Sequence, residues 1–312
     1  MKLRAAASRW KICSTSGKSR YQPNRTIIGK FTVSGFIIVG DNGYVITPLG
    51  TQQIDNEYWS SITYGNGKYV MVGFNYGYVS CSTDGTNWTT PKRISRVSWY
   101  AITYGNGKFV IVGSEGYIST STDGINWTTP KQIGAENWVD IAYGNGKFIA
   151  VRAAAYGGSG YISTSTDGVN WTTPKSVGTA EWNGITFGNG NFIIVGTNGS
   201  IARSSDGITW YNSAPSSGSI GSITYGNGKF VAIGYGGKII SSTSGTSWTT
   251  TNVSGSVVWE KIRSNIGSFI AVGSSGYITK SNNGTTWITP VQLKDDSGNL
   301  LNINLNDACT IQ

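Results

Sequence analysis

The chain reads as an all-β protein: a β-propeller of four-stranded antiparallel blades, eight in number with the last split between the two termini. Seven blades with terminal extensions is the alternative. Three observations predict this. One sentence recurs: residues 101–130 read AITYGNGKFVIVGSEGYISTSTDGINWTTP, with close copies at 62–91, 141–174, 185–213, 223–251 and 262–290. The last Trp of the copies (Trp88, Trp127, Trp171, Trp210, Trp248, Trp287) returns in steps of 39, 44, 39, 38 and 39 residues. A period near forty that holds four short β-type runs is the spacing of one blade. Gly fills 44 of 312 positions, about twice its usual share, as many tight turns require.

The copy at 99–130 gives the elements in order. Ala101–Tyr104 is strand A. Asn106-Gly107 follows, the strongest short hairpin signal because both residues accept positive φ. Strand B is Lys108–Val112, apolar on both faces, as expected of a strand sandwiched between neighbours. Ser114-Glu115-Gly116 turns the chain into strand C, Tyr117–Ser121. After the turn at Thr122–Gly124, Asn126–Thr129 is expected as strand D, ended by Pro130.

Six copies are evident, and a seventh stands at the front. Ser34–Gly40 matches strand B and Gly43–Thr47 strand C, with Thr26–Phe31 assigned to strand A and a degenerate strand D near Thr51–Ile54. The ends supply the eighth. Residues 10–19 match 238–247, which makes 9–23 strands C and D; Leu300–Leu305 and Ala308–Ile311, within 298–312, become strands A and B. The whole of 1–312 is then one domain, with 1–8 a basic arm. This alignment places Cys13 opposite Cys309, within disulfide reach, so a bond that locks the ring is one expectation and two adjacent thiols the other. Cys81 is left over.

Composition narrows the function. Charged residues are only 12%, roughly half the usual fraction, which leaves a Ser/Thr/Asn surface. Of 24 basic residues, Lys2, Arg4, Arg9, Lys11, Lys18, Arg20, Arg25 and Lys30 crowd into the first 40 positions with no acid, leaving 16 against 15 acids in the rest. That basic segment suits an acidic partner. Base-reading motifs and a long basic helix are absent, which argues against nucleic acid. No apolar stretch reaches the ~20 residues of a membrane span, and MKLRAAASRW lacks the apolar core of a secretory signal. There is no His, which removes His triads, bases and metal ligands. No cofactor and no metal are expected.

Ser121-Thr122-Asp123-Gly124-Ile125-Asn126-Trp127 resembles the Asp-box of BNR-type propellers. Its cognates are Ser82–Trp88, Ser165–Trp171 and Ser204–Trp210; Ser244 and Asn283 replace the Asp in the last two copies. The family pattern has one more residue between Asp and Trp. The resemblance implies a structural C–D hairpin, and Asp84, Asp123, Asp167 and Asp206 suit that role, since Asp caps turn amides with its own side chain. It also raises sialidases, whose sites need an arginine cluster, a Tyr nucleophile with a Glu, and an acid. No such constellation stands out here, and an enzyme is not expected.

Candidate binding residues lie where the D–A and B–C loops gather, since loops that vary on a rigid scaffold form the default binding surface. Trp59, Trp99, Trp138, Trp182 and Trp259 open A strands near that face, where Trp could stack on sugar rings or, alternatively, pack between blades. Tyr76, Arg93, Arg96, Tyr100, Arg152 and Tyr156 occur in single blades and are candidates for specific recognition. The GNGKFVxVG…STDGxxW wording resembles repeats of bacteriophage structural and tail proteins and of bacterial surface proteins. The leading expectation is a virion component that binds a host-surface glycan or docks on another virion protein. The alternatives are a lectin-like surface protein at the cell exterior, a sialidase-like hydrolase, and an assembly factor similar to seven-bladed photosystem chaperones.

Overall fold

The computed structural model describes residues 33–152, 159–215, 218–253 and 257–312. Their strands form seven four-stranded antiparallel sheets, so the propeller has seven blades, and the eight-blade expectation gives way to its alternative. Blade 3 is typical, with strand A at Trp99–Gly105, B at Lys108–Gly113, C at Tyr117–Ser121 and D at Lys131–Gln132. Blades 2, 4, 5, 6 and 7 repeat it, with A strands at Trp59–Gly65, Trp138–Gly144, Trp182–Gly188, Ile220–Gly226 and Trp259–Asn265.

Blade 1 closes the ring. Its strands B, C and D are Phe36–Gly40, Tyr44–Thr47 and Gly50–Gln53, and its strand A is Leu305–Thr310 from the far end of the sequence. Segment 298–312 therefore supplies one inner strand, not two strands of a separate blade. Register explains the closure: Phe36 pairs with Thr310 as Tyr69 pairs with Tyr64 in blade 2. Leu305 takes the place of the A-strand Trp, and Cys309 sits opposite Ile37, not opposite a cysteine. Cys309 and Cys81 are buried free thiols. Cys13, segment 9–23 and the strand expected at Thr26–Phe31 lie outside the described residues.

The outer strands also differ from expectation. Strand D follows Pro130 instead of ending there. Thr128 occupies the ladder position before it: its amide donates to Thr120 O at 2.9 Å, while its Oγ1 accepts from Thr120 N at 3.0 Å. A side chain replaces a backbone acceptor, and proline then interrupts the ladder because it has no N–H to give.

Seven apolar clusters fill the seven junctions. Between blades 2 and 3, Val70, Val72 and Cys81 meet Trp99, Ile102, Phe109 and Ile111; Ile220 stands in for Trp between blades 5 and 6. Phe109, Val110, Ile111 and Val112 have no exposed surface, as a strand covered on both faces requires.

Candidate binding face

The A–B hairpins and C–D turns make up one face. Asn66, Asn106, Asn145, Asn189 and Asn227 take φ between 45° and 49°, followed by Gly at 70–74°, the pattern of a tight primed hairpin turn. In the C–D turns the Asp carboxylates bind their own backbone. Asp123 Oδ1 accepts from Ile125 N and Asn126 N at 2.8 Å each, Oδ2 from Asn126 Nδ2, and Ser121 Oγ holds Gly124 N. Asp84, Asp167 and Asp206 repeat the two backbone bonds. Those bonds, that from Asn126 N foremost, hold Asp123 well below the usual carboxylate range, and the other three are lowered for the same reason. These four carboxylates serve the scaffold.

Along the axis, the third residues of the A strands face one another. Lys261 Nζ of blade 7 lies 3.3 Å from Asp140 Oδ2 of blade 4, and because those blades stand across the seven-membered ring the pair spans its centre. Asp307, fully buried, receives Arg263 Nε at 2.9 Å and Nη2 at 2.9 Å, Ser61 Oγ at 2.7 Å and Ile62 N at 3.2 Å. The closing strand is thereby tied to both neighbouring blades. Burial alone would lower the Arg263 pKa, but Asp307 and Asp140 raise it. Burial followed by the Asp307 charge pushes the Cys309 thiol up to about 12, which keeps it protonated and inert.

The opposite face carries the D–A and B–C connections. Of 15 acidic residues, four are in C–D turns and Asp140 and Asp307 are on the axis. The other nine, Asp41, Asp55, Glu57, Glu115, Glu136, Glu181, Glu260, Asp295 and Asp296, are all in these connections or at the head of a strand A. In the sector of blades 2 and 3 this face, which also carries Arg93 and Arg96, bears aromatic rings. Tyr58 and Phe74 lie 5.4 Å apart and Phe74 and Tyr100 5.3 Å, each pair tilted by 54°. Phe74, at the centre, is 37% exposed. Buried Glu57 positions it, its Oε1 accepting from Tyr58 N at 3.1 Å and Asn75 N at 3.2 Å. Burial raises the pKa of Glu57 despite those bonds. Burial, reinforced by Asp41 and Glu260, raises the Tyr58 phenol to about 12; its hydroxyl donates to Asn306 Oδ1 at 3.3 Å. Burial, then Glu115, raises Tyr100.

The expected binding residues divide three ways. Tyr76, Arg93, Arg96 and Tyr100 share this sector. Arg93 Nε donates to Tyr76 O at 3.0 Å and Ser95 O at 2.9 Å, and its guanidinium carbon stands 5.6 Å from the centre of the exposed Tyr76 ring; Arg96 is exposed beside them. Arg152 belongs elsewhere, over the Tyr161 ring at 4.1 Å and 3.9 Å from Glu136. Tyr156 lies outside the described residues. The five tryptophans are a correction: Trp59, Trp99 and Trp138 are 0% exposed, Trp182 1% and Trp259 7%. The bulge after each one turns its indole into the junction between blades, so the open sugar-stacking surface is not formed by them. Sequence reasoning missed Tyr58 and Phe74. Their signal was the same lack of repetition: the cognates of Phe74 are Ser114, Thr197, Tyr235 and Ser274, and the 74–77 loop is one residue longer than 114–116.

Among the described residues no group of His, Cys, Asp and Glu could hold a metal ion, and no helix is long and apolar enough to cross a membrane. No family model and no curated protein sequence matches the chain, so the Asp-box resemblance remains one of wording and turn geometry. Solved structures do match. YCF48 bound to D1 peptide is 18% identical over 80% of this chain and 87% of its own, with a TM-score of 0.61. YCF48 from Cyanidioschyzon merolae is 16% identical over 82% and 88%, at 0.57. A chain in the mitotic checkpoint complex is 8% identical over 95% and 94%, at 0.60. At these identities the likeness establishes the propeller fold.

Proposed function

We propose that the protein is a non-enzymatic binding propeller that docks a partner protein on its D–A and B–C loop face, through the sector of blades 2 and 3. The observation that carries this reading is the tilted Tyr58–Phe74–Tyr100 stack. It is a partly exposed aromatic surface present in one blade pair and absent from the repeat, of the kind that anchors interfaces. Propellers of similar fold include one with a peptide bound and one inside a protein complex, which supports docking of this kind. Accounting for the carboxylates supports a non-enzymatic role. Four are held by turn amides, Asp140 and Asp307 by Lys261 and Arg263, and Glu57 by two backbone amides, so seven of the fifteen have scaffold roles, while Asp41, Glu260 and Glu115 remain near the stack.

The setting proposed is a phage particle, with another virion protein as the partner. It rests on the repeat wording and the Ser/Thr/Asn surface. A host-surface glycan is the second reading, favoured by the exposed Tyr76 ring beside Arg93, since a sugar could stack there now that the tryptophans are buried. A photo-crosslinking residue in place of Tyr76, used in the native assembly, tests the reading. It is expected to yield one partner protein, lost when Phe74→Ala is added. Crosslinking to no protein, together with a glycan array on which the protein binds and the Phe74→Ala variant does not, would hand the site to the second reading.

A further inference from the structure

Three successive junctions share a clasp. The A–B hairpin of one blade reaches the C–D turn of the next with an Asn amide and a Lys ammonium. Asn66 Nδ2 donates to Thr122 O at 3.0 Å and Lys68 Nζ to Asp123 O at 3.0 Å. Asn106 and Lys108 bind Thr166 O and Asp167 O at 3.1 and 3.0 Å, and Asn145 and Lys147 bind Ser205 O and Asp206 O at 3.2 and 2.7 Å. The lysine stem is part of the fit: Lys147 Cδ passes 3.8 Å from where a β-carbon on Gly207 would stand. Each clasp thus takes a cation at the turn carbonyl, and at Gly207 the apolar lysine stem runs along the turn as well, the two properties a lysine side chain combines.

The turn of blade 2 has the same internal form, with Asp84 Oδ1 on Thr86 N and Asn87 N and Ser82 Oγ on Gly85 N. Among the described residues, its neighbour in the ring does not supply the clasp. By strand register Gln312 stands where Asn66 stands, and Gly35, with no side chain, stands where Lys68 stands. Among the described residues no hydrogen bond reaches Thr83 O or Asp84 O. At that place opens a cavity of about 250 Å³ lined by Ile37, Pro48, Leu49, Ile311 and the turn Asp84–Thr86. Its apolar rim is open to solvent, Leu49 being 83% and Ile311 40% exposed.

We infer that this cavity is a socket for a lysine side chain of a partner chain. The stem packs on Ile37, Leu49 and Gly85, and the ammonium donates to the Asp84 carbonyl, as Lys68 does to Asp123. The molecule's other junctions supply the template for the ligand. The socket is separate from the loop face and does not rest on the function proposed for it.

The test uses the full chain and the peptide acetyl-Gly-Asn-Gly-Lys-Phe-amide, the protein's own clasp wording, followed by amide NMR. Saturable shifts are expected at Leu49, Asp84, Gly85 and Thr86. Replacing the peptide's Lys by norleucine, or exposed Leu49 by Ala, is expected to weaken binding at least tenfold, while the remaining amide spectrum of Leu49→Ala shows that the fold is kept. The inference is overturned if the shifts fall equally on the already clasped turns at Asp123 and Asp167, if the norleucine peptide binds as well, or if no shift appears at millimolar peptide.

Discussion

The face of the A–B hairpins and C–D turns repeats its residues blade after blade, whereas the face of the D–A and B–C connections repeats backbone more than side chains: five B–C connections share one three-residue turn, but the residues on it differ. Both are anchored on the same strands, so the difference lies in what each turn must accomplish. On the repeating face the C–D turns cap their own amides and three A–B hairpins clasp the next blade, and those two tasks fix Asn, Gly, Lys, Ser and Asp at set positions. On the other face the connections are held mainly by recurring backbone bonds, such as Ser114 N to Ser98 O and Ile133 N to Gly116 O, which leave their side chains free to differ. There the acids gather, and there Phe74 is left partly exposed between two tyrosines. In a repeat protein, repetition marks the scaffold and departure from it marks the surface free to bind.

The largest effect should come where both faces depend on the ring being closed. Asp307→Ala leaves Arg263 in the axis without its carboxylate and unties blade 1 from blades 2 and 7. It is expected to cost about 3–5 kcal/mol in chemical denaturation, the usual result of removing one partner of a buried ion pair. A cost well below that would mean that closure rests on the backbone ladder alone.

Next comes the repeating face. Asp123→Ala should cost on the order of 1 kcal/mol, comparable to loss of a capping side chain. Asp123→Asn should cost less, because Asn283 already caps Thr285 N and Thr286 N in blade 7 at 2.9 and 2.8 Å. The pH dependence has a definite sign. The folded-state pKa of each turn Asp is lowered below the unfolded ~3.9, so its contribution is complete above that pH and is lost as pH falls toward the folded value. Glu57 and Glu260, whose pKa values are raised by burial, work the other way, favouring the fold as pH falls, but they are two groups against five, since Asp295 is also lowered, by its bonds from Asn299 foremost. Denaturation midpoints between pH 6 and 2 should therefore fall, and fall less steeply in Asp123→Asn; a slope unchanged by that variant would refute the assignment.

Much of this was legible in the sequence because the repeat is dictated by local chemistry. The Asn-Gly hairpins, the turn carboxylates and the doubly covered B strands all follow from residues adjacent in the chain. What escaped depended on distant partners. Leu305–Thr310 shares almost no wording with the other A strands, since Leu305 replaces Trp and Asp307 is chosen for Arg263 and Ser61 across the closure; without it the count drifted to eight. The tryptophans looked like a rim because their place at the head of strand A is near the loop face, yet the local bulge sends them inward. Tyr76, Arg93, Arg96 and Tyr100 were found by their failure to repeat. Phe74 and Tyr58 obey the same rule, but their meeting is visible only once the 74–77 loop folds back over strand A.

The smallest effect on stability and the largest on binding should coincide at Phe74, and pairing it with Asp123 tests the contrast between the faces directly. Crosslinking through position 76 and denaturation would be measured side by side for Phe74→Ala and Asp123→Ala. The expected result is that Phe74→Ala loses the partner while its stability stays within about 0.5 kcal/mol of the parent, as for surface substitutions in general, and that Asp123→Ala keeps the partner while losing stability. Partner binding that survives Phe74→Ala but fails in Asp123→Ala would place recognition on the repeating face and contradict the account.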